Sequence, residues 1–235
     1  MRVSLYRWPA TAKFGRIVPK SKFYENTTIS VTVRERFVSE VRRIVWTYKL
    51  ADETIHLRGD SAVPEIQVFG IEAKEDNVTD DVLTAIDKAI KFPIIFEISR
   101  DTDAHTHTRM AAAYKRLGGA SPRLSGYFTT DWQSADAPRA SLPPALDLRS
   151  LYAGLLTPML PIAARPGEDM SETTDRVDQA IKLEREIAKL KKSLRTEPQL
   201  NRKVAVRRMV RDRAAALAAL TDPAARRIEE TLWRS

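Results

Sequence analysis

The sequence predicts an α+β protein, with helices packed on a small mixed sheet in an N-terminal domain, followed by a helical region containing a helical hairpin or short coiled coil. Three observations carry this. Before Gln133, short β-branched and aromatic runs alternate with helical periods; from Gln133 to Asp147, prolines interrupt any period; after Ser171, apolar spacing is almost purely helical. The predicted division is an α+β domain over 1–132, a Pro-rich linker with a short docking helix over 133–170, and a basic helical region over 171–235.

Each element has its reason. Val33 to Leu50 reads as one amphipathic helix, because Phe37, Val41, Ile44, Val45 and Tyr48 share a face while Arg36, Glu40, Arg43 and Lys49 lie largely elsewhere. Thr54 to Leu57 and Glu65 to Ile71 are rich in β-branched and aromatic residues around Arg58-Gly59-Asp60 and Pro64, which predicts two short strands joined by a turn. Glu65 and Gln67 are expected on a solvent-facing edge. Thr79 is the predicted N-cap of a helix with Asp80 and Asp81 at its positive end, the stripe Val82, Leu83, Ile86 and Ile90, and Pro93 as its stop. Ile94 to Ile98 and Gly126 to Thr130 read as strands. In Met110 to Leu117 the alanines favour helix, but the place between two strands favours a hairpin arm, and strand is the reading adopted.

Asp147 caps a docking helix with Leu148, Leu151, Tyr152, Leu155, Leu156 and Met159, and Pro166-Gly167 make a turn in the second linker, Ala163 to Met170. Ala180, Leu183, Ile187, Leu190 and Leu194 then follow the spacing of a coiled-coil seam. So short a seam is expected to bury against the next helix or another chain, a second copy or a partner protein. Pro198 breaks the helix, and a further helix runs from Gln199 to Leu220. In it Val206, Met209, Val210, Leu217 and Leu220 share one side, with Arg207, Arg208 and Arg211 opposite. Asp222 and Pro223 open a last short helix ending near Trp233.

Composition narrows the function classes. The chain has 235 residues, 43% of them hydrophobic, and no apolar run long enough for a membrane span, which excludes disordered, fibrous and membrane-spanning readings. A charge and a proline near the N-terminus argue against a signal peptide, so a cytoplasmic location is expected. The absence of cysteine excludes disulfides and thiolate chemistry, and three histidines leave little for a histidine-rich metal site. No serine stands in a nucleophile elbow and no Gly-rich loop forms a phosphate cradle.

Charge is more informative. The net +8 is distributed as +6 over residues 1–60, −6 over 61–175 and +8 over 176–235. Such polarity suits a polyanion partner, an acidic surface of another subunit or the chain's own acidic middle. Arg202, Lys203, Arg207, Arg208 and Arg211 are the candidate nucleic-acid contacts, through charge-assisted bonds to phosphate. No aromatic residue interleaves with them, so stacking on single-stranded bases is not expected.

Two sets invite metal chemistry. Asp60, Glu72 and Lys74 resemble the two-carboxylate-plus-lysine pattern of PD-(D/E)XK nucleases, where the carboxylates would hold Mg²⁺ and the lysine would position the attacking water. Asp101, Asp103, His105 and His107 alternate as ligands could, but their interleaved threonines and alanine read as a polar hairpin loop. No metal site or cofactor is expected outside the nuclease alternative.

Over Lys13-Phe14-Gly15-Arg16-Ile17-Val18-Pro19-Lys20, Ile44 to Leu50 with Thr54-Ile55, and Glu65 to Phe69, the chain resembles the bacterial domain-of-unknown-function family numbered 4391. The resemblance continues through Ala113-Tyr114-Lys115, Thr130-Asp131-Trp132, Leu148 to Leu156 and Asn201-Arg202-Lys203-Val204. It implies a gene beside helicases and adenine-specific DNA methyltransferases in restriction or phage-defence loci, and assigns no catalytic residue. The expectation is an accessory, non-enzymatic subunit that contacts DNA and a helicase or methyltransferase partner, with the Mg²⁺-dependent nuclease as the alternative.

Overall fold

In the computed structural model, which describes residues 4–26, 29–102, 105–117 and 122–223, a short 3₁₀ turn at Ala10–Ala12 leads into the first strand, β1 (Lys13–Ile17). Helices α1 (Ser21–Asn26) and α2 (Val31–Glu40) follow, then β2 (Val41–Leu50), the single turn α3 (Asp52–Ile55), β3 (Ile66–Ala73) and α4 (Asp80–Ala89). Next come β4 (Ile94–Thr102), β5 (His105–Arg116), β6 (Arg123–Thr129), the two-residue β7 (Gln133–Ser134) and α5 (Leu148–Leu156). Two long helices, α6 (Met170–Thr196) and α7 (Leu200–Thr221), are the last elements of this α+β fold among the described residues. It forms two compact units, one ending at Met159 and the other starting at Leu160.

The sheet order is β1-β2-β3-β4-β5-β6, with β7 also pairing with β5. Only β3 and β4 run parallel among these pairs, and α4 supplies the crossover that parallel neighbours require. Phe37 of α2 and Val82, Leu83 and Ile86 of α4 pack with Ile44, Phe69, Ile71, Phe96 and Ile98 of the sheet in one buried cluster. Each such side chain contributes roughly 1.5–3 kcal/mol by leaving water.

The predicted helix from Val33 to Leu50 is half helix and half strand. It changes at Glu40, and β2 becomes a central strand between β1 and β3. Its register against β3 shifts between Val41 and Arg43 and again between Trp46 and Tyr48. Two such irregularities break the period of two, so Val41, Ile44 and Tyr48 imitate helical spacing in a strand. Lys20 Nζ donates to the carbonyls of Phe37 and Val41, and Lys74 Nζ to that of Val38, which satisfies the free end of α2.

Three smaller expectations are corrected. Thr54 to Leu57 is not a strand: Thr54 Oγ1 accepts from the Ala51 N–H at 3.0 Å and donates to the Lys49 carbonyl at 2.7 Å, closing α3 locally in place of a ladder. Thr79 does precede α4, but its side chain caps nothing; its N–H and hydroxyl donate to the Glu40 carboxylate, which brings negative charge to the helix's positive end. Glu65 and Gln67 are buried, not solvent-facing, because β3 is central in the sheet; Gln67 Nε2 donates to Glu65, and Lys49 lies 3.3 Å from the same carboxylate. Met110 to Arg116 falls in β5, as expected of a hairpin arm, and Leu117 follows its end. The helix predicted after Pro223 lies outside the described residues.

The Pro-rich segment is bonded into the first unit. Gln133 and Ser134 pair with β5, Ala135 N–H donates to the Thr106 carbonyl, and Ala140 exchanges backbone bonds with Leu5 and Arg7. Arg139 grips the Glu97 carboxylate and the Tyr6 carbonyl, while Trp8 Nε1 donates to the same Glu97 at 2.8 Å. It is a strap, with prolines where no ladder bond is needed. Asp147 then caps α5 by accepting from the Ser150 N–H at 2.7 Å, and Tyr152 of α5 donates to the Ala113 carbonyl. Lys115 is buried; it donates to the carbonyls of Asp87, Ile90 and Phe92 and pairs with the Asp87 carboxylate at 2.7 Å, tying off α4.

Candidate nucleic-acid interface

The second unit is built around a helical hairpin. Asp169 accepts from the Glu172 N–H while Glu172 accepts from the Asp169 N–H, so α6 starts on a reciprocal cap. Pro198 lies between α6 and α7, where a missing N–H and a fixed φ end one helix and allow the chain to return. The seam residues Ala180 and Ile187 are buried and Leu183, Leu190 and Leu194 half-buried. On α7 the half-buried stripe is Lys203, Val206, Val210, Leu217 and Leu220, and the two helices pack along it. The short seam thus finds cover within its own chain.

Packing is uneven along the hairpin. At its base, Arg176 donates to both carboxylate oxygens of Glu168, to the Ala163 carbonyl and to the Leu220 carbonyl; Arg165 reaches the carbonyls of Ala219, Leu220 and Asp222. Two guanidinium groups therefore satisfy the C-terminal end of α7, where positive charge is favoured. The Arg176 hydrogen bonds hold the Glu168 carboxyl at about 2, well below the usual carboxylate range. Towards the tip this order fades: beyond Ile187 no residue of α6 or α7 is fully buried, and Leu200 and Val204 are 72% and 57% exposed.

The candidate DNA contacts sit on this less-packed part. Arg202, Arg207, Arg208 and Arg211 are exposed and have no ion pair among the described residues. Lys203 is half-buried instead, since it precedes Val206 by three residues and shares its inward face. Met209, expected on the apolar side, is 46% exposed, because the inward stripe passes through Val206 and Val210. Sequence reading missed the other arm: Lys182, Arg185, Lys189 and Lys192 of α6 are exposed and spaced by three, four and three residues, one face of a helix. That spacing was the available signal. From Arg185 to Arg211 there are ten basic and two acidic residues, so this stretch carries a net charge equal to the +8 of the whole chain.

The metal-type sets are placed differently. Asp60 lies before the start of β3 and Glu72 near its end, so roughly 20 Å of strand separates them. Asp60 accepts from the N–H groups of Ala62 and Val63 and from Arg149, and these bonds lower its pKa. Glu72 is held by Arg43, its register partner on β2, and Lys74 by the Val38 carbonyl. The three residues are not brought together. Asp101 pairs with Arg42 and accepts from the Thr106 hydroxyl, His107 Nδ1 meets the Thr102 hydroxyl, His105 is exposed, and Asp103 lies outside the described residues. Among the described residues no group of three or more acidic or histidine side chains could hold a metal ion, and no helix is long and apolar enough to cross a membrane.

Comparison with known proteins matches residues 7–217 to a family model described as a domain of unknown function. No curated protein and no solved structure matches.

Proposed function

Since the chain belongs to the domain-of-unknown-function family DUF4391 over nearly its whole length, whose description names no chemistry, we propose from its own residues that it is an accessory, non-enzymatic subunit of a DNA-modification or phage-defence complex, contacting DNA through α7. One observation carries the reading: Arg207, Arg208 and Arg211 form an exposed arc, without acidic partners among the described residues, on a helix held by its opposite, half-buried face. Guanidinium groups stay charged and present forked donors that fit phosphate oxygens. No aromatic residue accompanies them on α7, which favours contact with the duplex backbone over stacking on bases.

The partner side of the proposal uses the tip, where Leu200 and Val204 are exposed and Leu190 and Leu194 half-buried. A helicase or DNA methyltransferase subunit offering an apolar helix face would finish burying them. Duplex affinity measured against salt tests the DNA contact. Changing Arg207, Arg208 and Arg211 to Gln should weaken binding for all sequences alike and flatten the log–log salt slope by up to about three units. Unchanged affinity and slope would remove α7 as the contact. Co-purification of the neighbouring helicase or methyltransferase with the full chain, and not with a chain ending at Met170, tests the adaptor role; equal recovery would refute it.

A further inference from the structure

We propose that the hairpin has a second phosphate-binding stripe, Lys182, Arg185, Lys189 and Lys192 on α6, pointing away from the α7 arginines, so that one chain bridges two DNA backbones. The inference rests on the reading of α7 as a DNA contact. Its basis is the phase of each helix. Ile187 of α6 is buried and Val206 of α7 half-buried at the packed seam. Lys189 and Arg208 each stand two residues further on, about 200° round their helices, and both are exposed. Each basic stripe therefore lies on the side of its helix turned away from the other helix.

The stripes are also level. Lys189 and Arg207 are each nine residues from Pro198, and Arg185 and Arg211 are each thirteen. The 2.9 Å pair between Glu186 of α6 and Arg213 of α7 shows that residues of this register are neighbours across the hairpin. That pair occupies Glu186, which stands four residues after Lys182 and three before Lys189, and no other acidic residue between Lys182 and Lys192 neighbours the stripe at helical spacing. From Lys182 to Lys192 the stripe runs about 15 Å, over which one DNA strand presents roughly four phosphates. Four cations meet them.

One groove cannot serve both stripes. Two packed helices, each about 10–12 Å across with axes 8–10 Å apart, are wider than the roughly 12 Å major groove. Two backbones on opposite sides of the hairpin fit the geometry, as on two duplexes or two arms of a branched one.

The test uses the full chain and two short duplexes, one carrying a donor fluorophore and the other an acceptor. Wild type should bring them together, with an energy-transfer signal that rises and then falls as protein exceeds DNA. A quadruple Gln variant of Lys182, Arg185, Lys189 and Lys192 should still bind a single duplex, with a salt slope of about −2.7 from three arginines, and lose the transfer signal. The triple Gln variant of Arg207, Arg208 and Arg211 should bind through α6 with a slope of about −3.6 and also fail to bridge, so the loss of slope expected of α7 is read in the background of the quadruple variant. Gln is close to Lys and Arg in helix propensity, so melting curves should be unchanged; if the quadruple variant melts early, Lys189→Gln with Lys192→Gln replaces it and should still reduce transfer severalfold. Bridging that survives loss of the α6 stripe, or wild type that binds one duplex and never two, overturns the inference and leaves the α7 contact standing. Wild type that binds no duplex overturns both.

Discussion

Six arginines of the sheet unit and the cations of the hairpin tip are similar residue types in opposite circumstances. Arg36, Arg42, Arg43, Arg100, Arg139 and Arg149 each have a carboxylate, on Asp81, Asp101, Glu72, Asp76, Glu97 and Asp60 respectively. At the tip ten basic residues face two acidic ones. A basic residue count alone therefore says little about a polyanion partner; what separates the regions is whether the charge is already matched. Stabilising the fold uses the first kind, and the second has no carboxylate partner among the described residues.

Removing matched charges should be costly in proportion to their burial. Lys115→Ala leaves the Asp87 carboxylate, 1% exposed, without its counter-charge and three carbonyls without their donor. A loss of about 3–5 kcal/mol is expected in urea unfolding. Replacing both partners, Lys115→Met with Asp87→Leu, should recover much of it. Arg176→Ala should cost about 3 kcal/mol by stranding Glu168 and freeing the end of α7, read as lost helical signal at lower urea.

Glu168 adds a pH dependence of defined sign. Its folded-state pKa, about 2, lies below its ordinary value near 4.3. Its contribution is fully present above that ordinary value and is lost as pH falls towards 2. Melting temperatures of wild type and Glu168→Gln should accordingly converge as pH drops from 5 to 2; a constant gap would contradict the Arg176 pairing as its source. Next in size, Ile187→Ala should cost about 2 kcal/mol and Leu194→Ala about 1 or less, since only the first is fully buried. Smallest is the Arg207, Arg208 and Arg211 triple Gln variant, within about 0.5 kcal/mol of wild type in stability even as DNA binding changes.

Which parts were legible in the sequence follows from where each signal is generated. The Asp147 cap, the Pro198 break and the inward positions Ala180, Ile187, Val206 and Val210 depend on residues within one or two turns, and all are present. β2 was misread because its register irregularities depend on pairing with β3, far along the chain, and they disguise a strand's alternation. Glu65 and Gln67 were misplaced for a related reason: a strand's centrality is fixed by its neighbours, which spacing does not encode. The strap was hidden because a proline-rich run has the same composition whether it is free or pinned, and the pins, Glu97 and Leu5, are remote. On the candidate interface, α7 was legible as an amphipathic helix, whereas the α6 stripe gained meaning only once the hairpin placed it back to back with the arginines.

The bond from Arg139 to the Tyr6 carbonyl joins residues 133 positions apart. Because a ribosome adds roughly 5–20 residues per second, about 7–27 s pass between the synthesis of Tyr6 and that of its clasp. For that interval Leu5, Tyr6 and Trp8, all buried in the finished unit, belong to an apolar arm with its eventual cover still unmade. The arm's cover is thus a late part of this unit, followed only by α5 and the turn after it.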